Sequence, residues 1–156
     1  MIECFKEGLV LRGLLHDNSK FMPSEFFPYV NFFYGKNGAA AKIKKQRKET
    51  GYYKPYDTGN SDFDMAWLLH QKKNKHHWQW WILPCDEEGV KLLEIQEPYI
   101  TEMICDWIGA GKAQGYHSPK GDRFFETKKW YHQNKGKMQI NKKSRKIIEQ
   151  KIGYKK

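Results

Sequence analysis

The sequence predicts an all-α fold, and three observations carry that prediction. Apolar residues recur at helical spacing in at least four segments. The one plausible strand is a short stretch from Val90 to Ile95. Aromatic residues reach 15% of the chain and supply large side chains for a core between helices. A length of 156 residues suits a single domain, 1–156, with a core of its own. Within it, residues 36–61 are expected to form a long loop insertion. Residues 135–156 are expected to form a basic C-terminal segment with a short helix.

The elements follow in chain order. Residues 3–16 predict a helix, with Cys4, Gly8, Leu11 and Leu15 on one stripe and Phe5, Leu9 and His16 beside it. Asn18-Ser19 breaks it. Pro23-Ser24-Glu25 opens a second helix carrying Phe26, Phe27, Val30, Phe33 and Tyr34, which Gly35 ends. Residues 36–60 have no clean periodicity. Ala39 to Lys48 predicts at most a short helix, and Gly51 to Pro55 and Asp57 to Asn60 predict loop. A loop of that length in a small domain points to a functional segment.

Asp62 to Trp81 is the strongest predicted helix. Pro84 to Gly89 predicts a turn, and Val90 to Ile95 a strand or extended connector. A further helix starts at Pro98 and runs through Tyr99, Met103, Asp106 and Trp107 to Gly109 and Gly111. Residues 112–122 predict loop, Thr127 to Asn134 a short aromatic helix, and Lys143 to Ile152 a basic terminal helix.

Composition narrows the function classes. No apolar run approaches the ~18 residues of a membrane span, and the charged start, with Glu3, Lys6 and Glu7, does not resemble a signal peptide. A cytoplasmic protein without membrane partners is expected. Cys4, Cys85 and Cys105 are too far apart in sequence for a zinc-finger pattern, and reduced thiols are expected. The net charge is +10. Residues 61–111 are net acidic and residues 112–156 strongly basic. That division suits an acidic metal site receiving a phosphate-bearing substrate, and it also suits phosphate-driven, non-specific nucleic-acid affinity. No helix-turn-helix, RNA-recognition or zinc-finger signature accompanies the basic region.

Candidate chemistry concentrates in three places. On an unbroken 62–81 helix, Phe63, Trp67, His70, Asn74, His77 and Trp81 share one face. Two inward imidazoles at i and i+7 between aromatic walls then flank one site, and His76 lies off that face. Neutral imidazole suits Zn, Fe, Mn or Ni. The second place is His16-Asp17 at a helix end, followed by Asn18, Ser19 and Lys20. The third is Asp106, on a face with Tyr99, Met103 and Ala110, where a buried carboxylate needs a cation or a metal. Glu102, one turn earlier, either assists or meets solvent.

The series His16-Asp17, helix histidines, late Asp106 resembles the HD-domain metal phosphohydrolases, and His16-Asp17-Asn18-Ser19-Lys20 looks like their HDxGK variant with serine for glycine. More closely, LLHDNSKFMPSEFFPY, GYYKPYDTG, FDMAWLLHQKKNKHHWQWW, EMICDWIGAG and KMQINKKSRKIIE resemble the uncharacterised DUF5662 proteins of bacteriophages and phage-rich bacterial genomes, over roughly residues 3–150. The HD resemblance implies a compact HD-like helical bundle and a divalent metal (Mn, Fe, Zn, Ni, Co or Mg) held by His16, Asp17, His70, His77 and Asp106. HD domains also draw a ligand from a histidine upstream of the His-Asp pair. None precedes His16 here, so weak metal binding by this chain alone is expected.

The expected activity is divalent-metal-dependent hydrolysis of a nucleotide or nucleotide-derived signal, in the host cytoplasm if phage-encoded. Asp17, Lys20 and Asn74 are the expected catalytic residues. Lys20, Tyr52, Tyr53 and Lys54 are expected to hold the substrate, the tyrosines by stacking and the lysines by charge. The alternatives are a sequestering protein that binds a nucleotide without cleaving it, and a basic nucleic-acid-binding protein.

Overall fold

Among the described residues, regular structure is helical apart from one two-stranded ribbon. The computed structural model describes residues 1–35, 49, 58, 60–87 and 89–155. The expected helix at Ala39–Lys48 and the Gly51–Pro55 loop lie outside them. The chain divides into two units: Met1–His16 with Asn74–Lys156, and Asp17–Lys73.

In the first unit, the helix expected over 3–16 is two helices, α1 (Ile2–Lys6) and α2 (Val10–Leu15). Gly8 is the reason. It takes a left-handed φ of 73°, and the amides of Gly8 and Leu9 bond back to the carbonyls of Phe5 and Cys4, which ends α1. At Gly13 the helices touch: a Cβ there would lie 2.9 Å from Cys4 Cβ. The break re-aims α2, so Leu11 and Leu15, expected inside, are exposed.

The ribbon pairs β1 (Ile82–Pro84) with β2 (Val90–Leu92), antiparallel, Leu83 opposite Lys91. The expected strand at 90–95 therefore exists but is shorter. The long helix α5 (Glu97–Ala113) has Pro98 in its first turn and passes straight through Gly109 and Gly111. Then come α6 (Phe125–Asn134) and α7 (Lys142–Ile152). Asn141 caps α7 by accepting the Lys143 amide, and Gly153 ends it in the left-handed region.

The core of this unit is Trp81, Ile95, Ile100, Met103, Ile104, Ile108, Tyr131, Met138, Ile140, Ile148 and Ile152. Ile100, Met103, Ile104 and Ile108 follow the three-and-four spacing that puts one stripe of α5 inward. The fully buried Ser144 hydroxyl accepts the Ile95 amide at 2.8 Å, so a polar group in α7 ties the connector to the core.

In the second unit, a 3₁₀ turn (Asn18–Phe21) leads into α3 (Pro23–Tyr34), which ends at Gly35 as predicted. It packs on α4 (Ser61–Lys73) through Phe32 stacked on Phe63 (3.9 Å between centroids), with Tyr29, Phe33 and Trp67 around them. The side chains α3 turns inward are Glu25 and Phe32. Phe26, Phe27 and Tyr34 are exposed. Asn60 starts α4 by accepting the Phe63 amide at 3.0 Å.

The helix expected to continue to Trp81 stops at Lys73. His77 donates its amide to Asn74 O in a turn, the Trp81 indole takes the Lys75 carbonyl at 2.8 Å, and Trp78–Trp81 is a 3₁₀ turn. The single stripe from Phe63 to Trp81 is therefore not formed. Phe63 and His70 are buried on α4, while Asn74 and His77 lie beyond its end. No helix among the described residues is long and apolar enough to cross a membrane.

Candidate metal centre

Glu102 is the hub of a buried polar cluster in the first unit. It lies on α5 between Ile100 and Met103, just off the apolar stripe, and is 6% exposed. Its Oε1 is 3.3 Å from His16 Nδ1 and 3.3 Å from His76 Nδ1, and its Oε2 accepts from Arg12 at 3.1 Å. His16 follows the last residue of α2, where an extended backbone (φ −54°, ψ 125°) lets the ring leave the helix surface. Arg12 stands one turn earlier on the same face. His76 sits in the turn after α4 and is buried, its ring 4.3 Å from that of His16.

His16, His76 and Glu102 each offer one ligand atom, all within 4.8 Å of one another, so they form a group that could hold a metal ion. The spacing is informative. Two donors each about 2.0–2.1 Å from a tetrahedral ion stand about 3.3–3.4 Å apart. An ordinary N–H···O hydrogen bond falls at about 2.7–3.2 Å. The two 3.3 Å separations onto one carboxylate oxygen are hydrogen-bond contacts that also fit the spacing of two donors around one ion.

Burial alone would raise the Glu102 pKa. The hydrogen bonds from His16, His76 and Arg12 and the charge of His76 outweigh it, and the carboxyl is held down at about 2. It is an anion throughout the physiological range, as a ligand must be. The second ring nitrogen of His16, Nε2, lies 3.2 Å from Asp106 Oδ1, one turn beyond Glu102 on α5. A carboxylate on the far nitrogen fixes the ring's orientation and tautomer.

A second polar cluster lies within the other unit. Glu25 is fully buried near the start of α3. Its Oε2 accepts from Ser19 Oγ at 2.9 Å and meets His70 Nδ1 at 3.0 Å, and its Oε1 accepts from Lys73 at 3.0 Å. The other nitrogen of His70 lies 3.3 Å from Asp17 Oδ1, and the Trp67 ring stacks on His70. Asp17 has a left-handed backbone (φ 63°, ψ 16°) and is the one non-glycine residue with positive φ among those described. Lys20 Nζ bonds Asp17 Oδ2 at 2.5 Å.

The structure brings His16 to Asp106 and Asp17 to His70 and Lys20. His77, half-buried, precedes the 78–81 turn, with its ring 4.3 Å from that of His76. On an unbroken helix His77 would face inward and His76 would not. Because α4 ends at Lys73, His76 is the histidine that meets Glu102. Asn74, expected on the His70 face, lies past the helix end and closes a turn with its carbonyl. Tyr52, Tyr53 and Lys54 lie outside the described residues.

Glu102 was legible only as a helper. His76, Arg12, Ser19 and Glu25 carried no sequence signal beyond their residue types. A Glu three residues into a predicted helix resembles an N-terminal helix charge, which concealed Glu25.

The chain belongs to the family described as "Family of unknown function (DUF5662)", whose sequence model matches residues 1–153. No curated protein and no solved structure matches the chain.

Proposed function

We propose that this protein is a divalent-metal-dependent hydrolase of phosphate esters, with His16, His76 and Glu102 as metal ligands. The observation that carries the reading is the pair of imidazole nitrogens 3.3 Å from one oxygen of an ionised, buried carboxylate. Three protein ligands with open positions are the usual make-up of a catalytic rather than a structural site. A bound divalent ion would supply a nucleophilic hydroxide at neutral pH and polarise the phosphoryl oxygen.

The chain's own groups hold this arrangement ready. Asp106 accepts from His16 and keeps its Nδ1 turned to Glu102. Arg12 binds the Glu102 oxygen that the histidines leave, fixing the carboxylate plane. The net charge of +10 favours an anionic substrate. Nucleotides are the substrate class to test first.

The test has two steps. Metal content is measured on protein purified without chelators or nickel resin. Phosphate release is then followed over a panel of nucleotides, with and without chelator. Chelator-sensitive turnover that Glu102→Gln abolishes is the expected result. Tight nucleotide binding without turnover would replace the hydrolase by a sequestering protein. Turnover indifferent to chelator would end the reading.

A further inference from the structure

Two cations share one aromatic ring beside Glu102. The Arg12 guanidinium lies over Tyr99, 4.2 Å from the ring centre, while holding Glu102 at 3.1 Å. Lys75 Nζ lies 5.6 Å from the same ring centre and 5.1 Å from that of Trp80. All five residues belong to the first unit. The main chain at Lys75 is anchored, because its carbonyl accepts from the buried indole of Trp81. Tyr99 is itself packed against Trp81, 5.7 Å between centroids. The Tyr99 ring is therefore packed against the buried Trp81 and approached by two cations.

The chemistry around that ring points to an anion. Like charges around one ring repel, and the ring face offsets part of that cost without neutralising either charge. Glu102 takes a donor from one nitrogen of Arg12, Nη1, and a guanidinium carries five N–H donors. Lys75 is exposed, and no carboxylate among the described residues forms an ion pair with it. A tetrahedral oxyanion with several acceptor oxygens would engage both groups at once, the guanidinium in its planar fork and the ammonium as a point charge. Lys75 directly precedes His76, and Arg12 touches Glu102. The anion would thus be received beside two of the three residues proposed to hold the metal.

We propose that Arg12 and Lys75, flanking Tyr99, form the subsite that binds the phosphate group of the substrate. The proposal rests on the metal reading for its place in catalysis, but its binding chemistry stands separately. It moves the role of phosphate cation from Lys20, which pairs with Asp17, to two residues of the first unit.

The probe is ³²P-labelled inorganic phosphate, measured by equilibrium dialysis against the full chain carrying its own bound metal, with metal per chain determined on each sample. Lys75→Met is expected to weaken phosphate binding about tenfold, the loss of one charge-assisted contact, and Lys75→Arg to restore it. Metal per chain should stay at the wild-type level in both. Arg12→Lys, which keeps a charge beside Glu102, is expected to weaken phosphate binding as well, by removing the fork. Phosphate affinity within twofold of wild type in Lys75→Met, at unchanged metal content, would overturn the proposal. So would wild-type protein that does not bind phosphate. A wild-type chain without metal whose phosphate binding still falls in Lys75→Met would refute the metal centre and support the anion subsite.

Discussion

The two units each bury a glutamate against imidazole, and they do so differently. Glu25 is surrounded by a hydroxyl, one imidazole and an ammonium, so each oxygen has a donor at ordinary hydrogen-bond distance. Glu102 instead presents one oxygen to two imidazole nitrogens at 3.3 Å and gives the other to a guanidinium. Both carboxyls are pulled below the usual range against the opposing effect of burial: Glu25 by Lys73, Ser19 and His70, Glu102 by His16, His76 and Arg12. The same residue type, buried in both cases, is closed by ordinary hydrogen bonds in one and belongs to a group that could hold a metal ion in the other. What separates them is donor geometry rather than charge.

The largest effect that would sharpen this contrast is on stability. Glu25→Ala is expected to cost about 3–5 kcal/mol in urea unfolding, because it strips the carboxylate from the buried His70 and from Lys73. A cost below about 1 kcal/mol would show that the network is not what holds α3 to α4.

Glu102→Gln comes next. In the wild type, metal at a hundredfold excess over its Kd should add about 2.7 kcal/mol of stability, read as a rise in melting temperature. The variant should lose that increment. If the increment survives, Glu102 is no more a ligand than Glu25.

A third effect belongs to a carboxylate with no imidazole at all. Glu3 on α1 is buried, which by itself would raise its pKa. Lys112 and Lys6 bring it down to about 2 from an ordinary 4.5. A depressed folded-state pKa means that its stabilisation is full above about 4.5 and is lost as pH falls from there toward 2. Glu3→Gln should therefore flatten the acid side of the stability profile in that window and leave the slope above pH 5 unchanged. An identical acid limb in the variant would contradict this assignment.

These contrasts also mark what was legible in the sequence. The helix at 23–34 follows from Pro23 and Gly35 at its ends, and the helices expected at Thr127–Asn134 and Lys143–Ile152 form with slightly earlier starts, at Phe125 and Lys142. Glycine was harder to read. Gly109 and Gly111 are carried inside α5, where the buried Ile104 and Ile108 hold the helix, whereas Gly8 ends α1. Both are glycines in helical patterns, and only packing separates them.

The site suffered from the same difficulty. Helical spacing puts His70 on the inward face of α4, where it is buried, but the continuation of that helix to His77 is not formed. A backbone carbonyl taken by the Trp81 indole leaves no trace in apolar spacing. Glu102 went unrecognised as the hub because a carboxylate near the edge of an apolar stripe has the same pattern whether it meets solvent or two imidazoles.

The smallest expected effect tests the break that points α2, and with it Arg12 and His16, toward Glu102. Gly8→Ala meets no atom within 4 Å, so its cost is conformational alone. A left-handed alanine should lose about 1–2 kcal/mol. No loss would mean that the backbone at residue 8 is not left-handed in solution.

The most direct measurement is anomalous diffraction at the metal edge from crystals of the full chain grown with zinc or manganese. The account predicts a peak about 2.0–2.3 Å from His16 Nδ1, His76 Nδ1 and a Glu102 oxygen. A map with no peak at these three residues, in crystals whose wild-type protein was metal-saturated in solution, would contradict it.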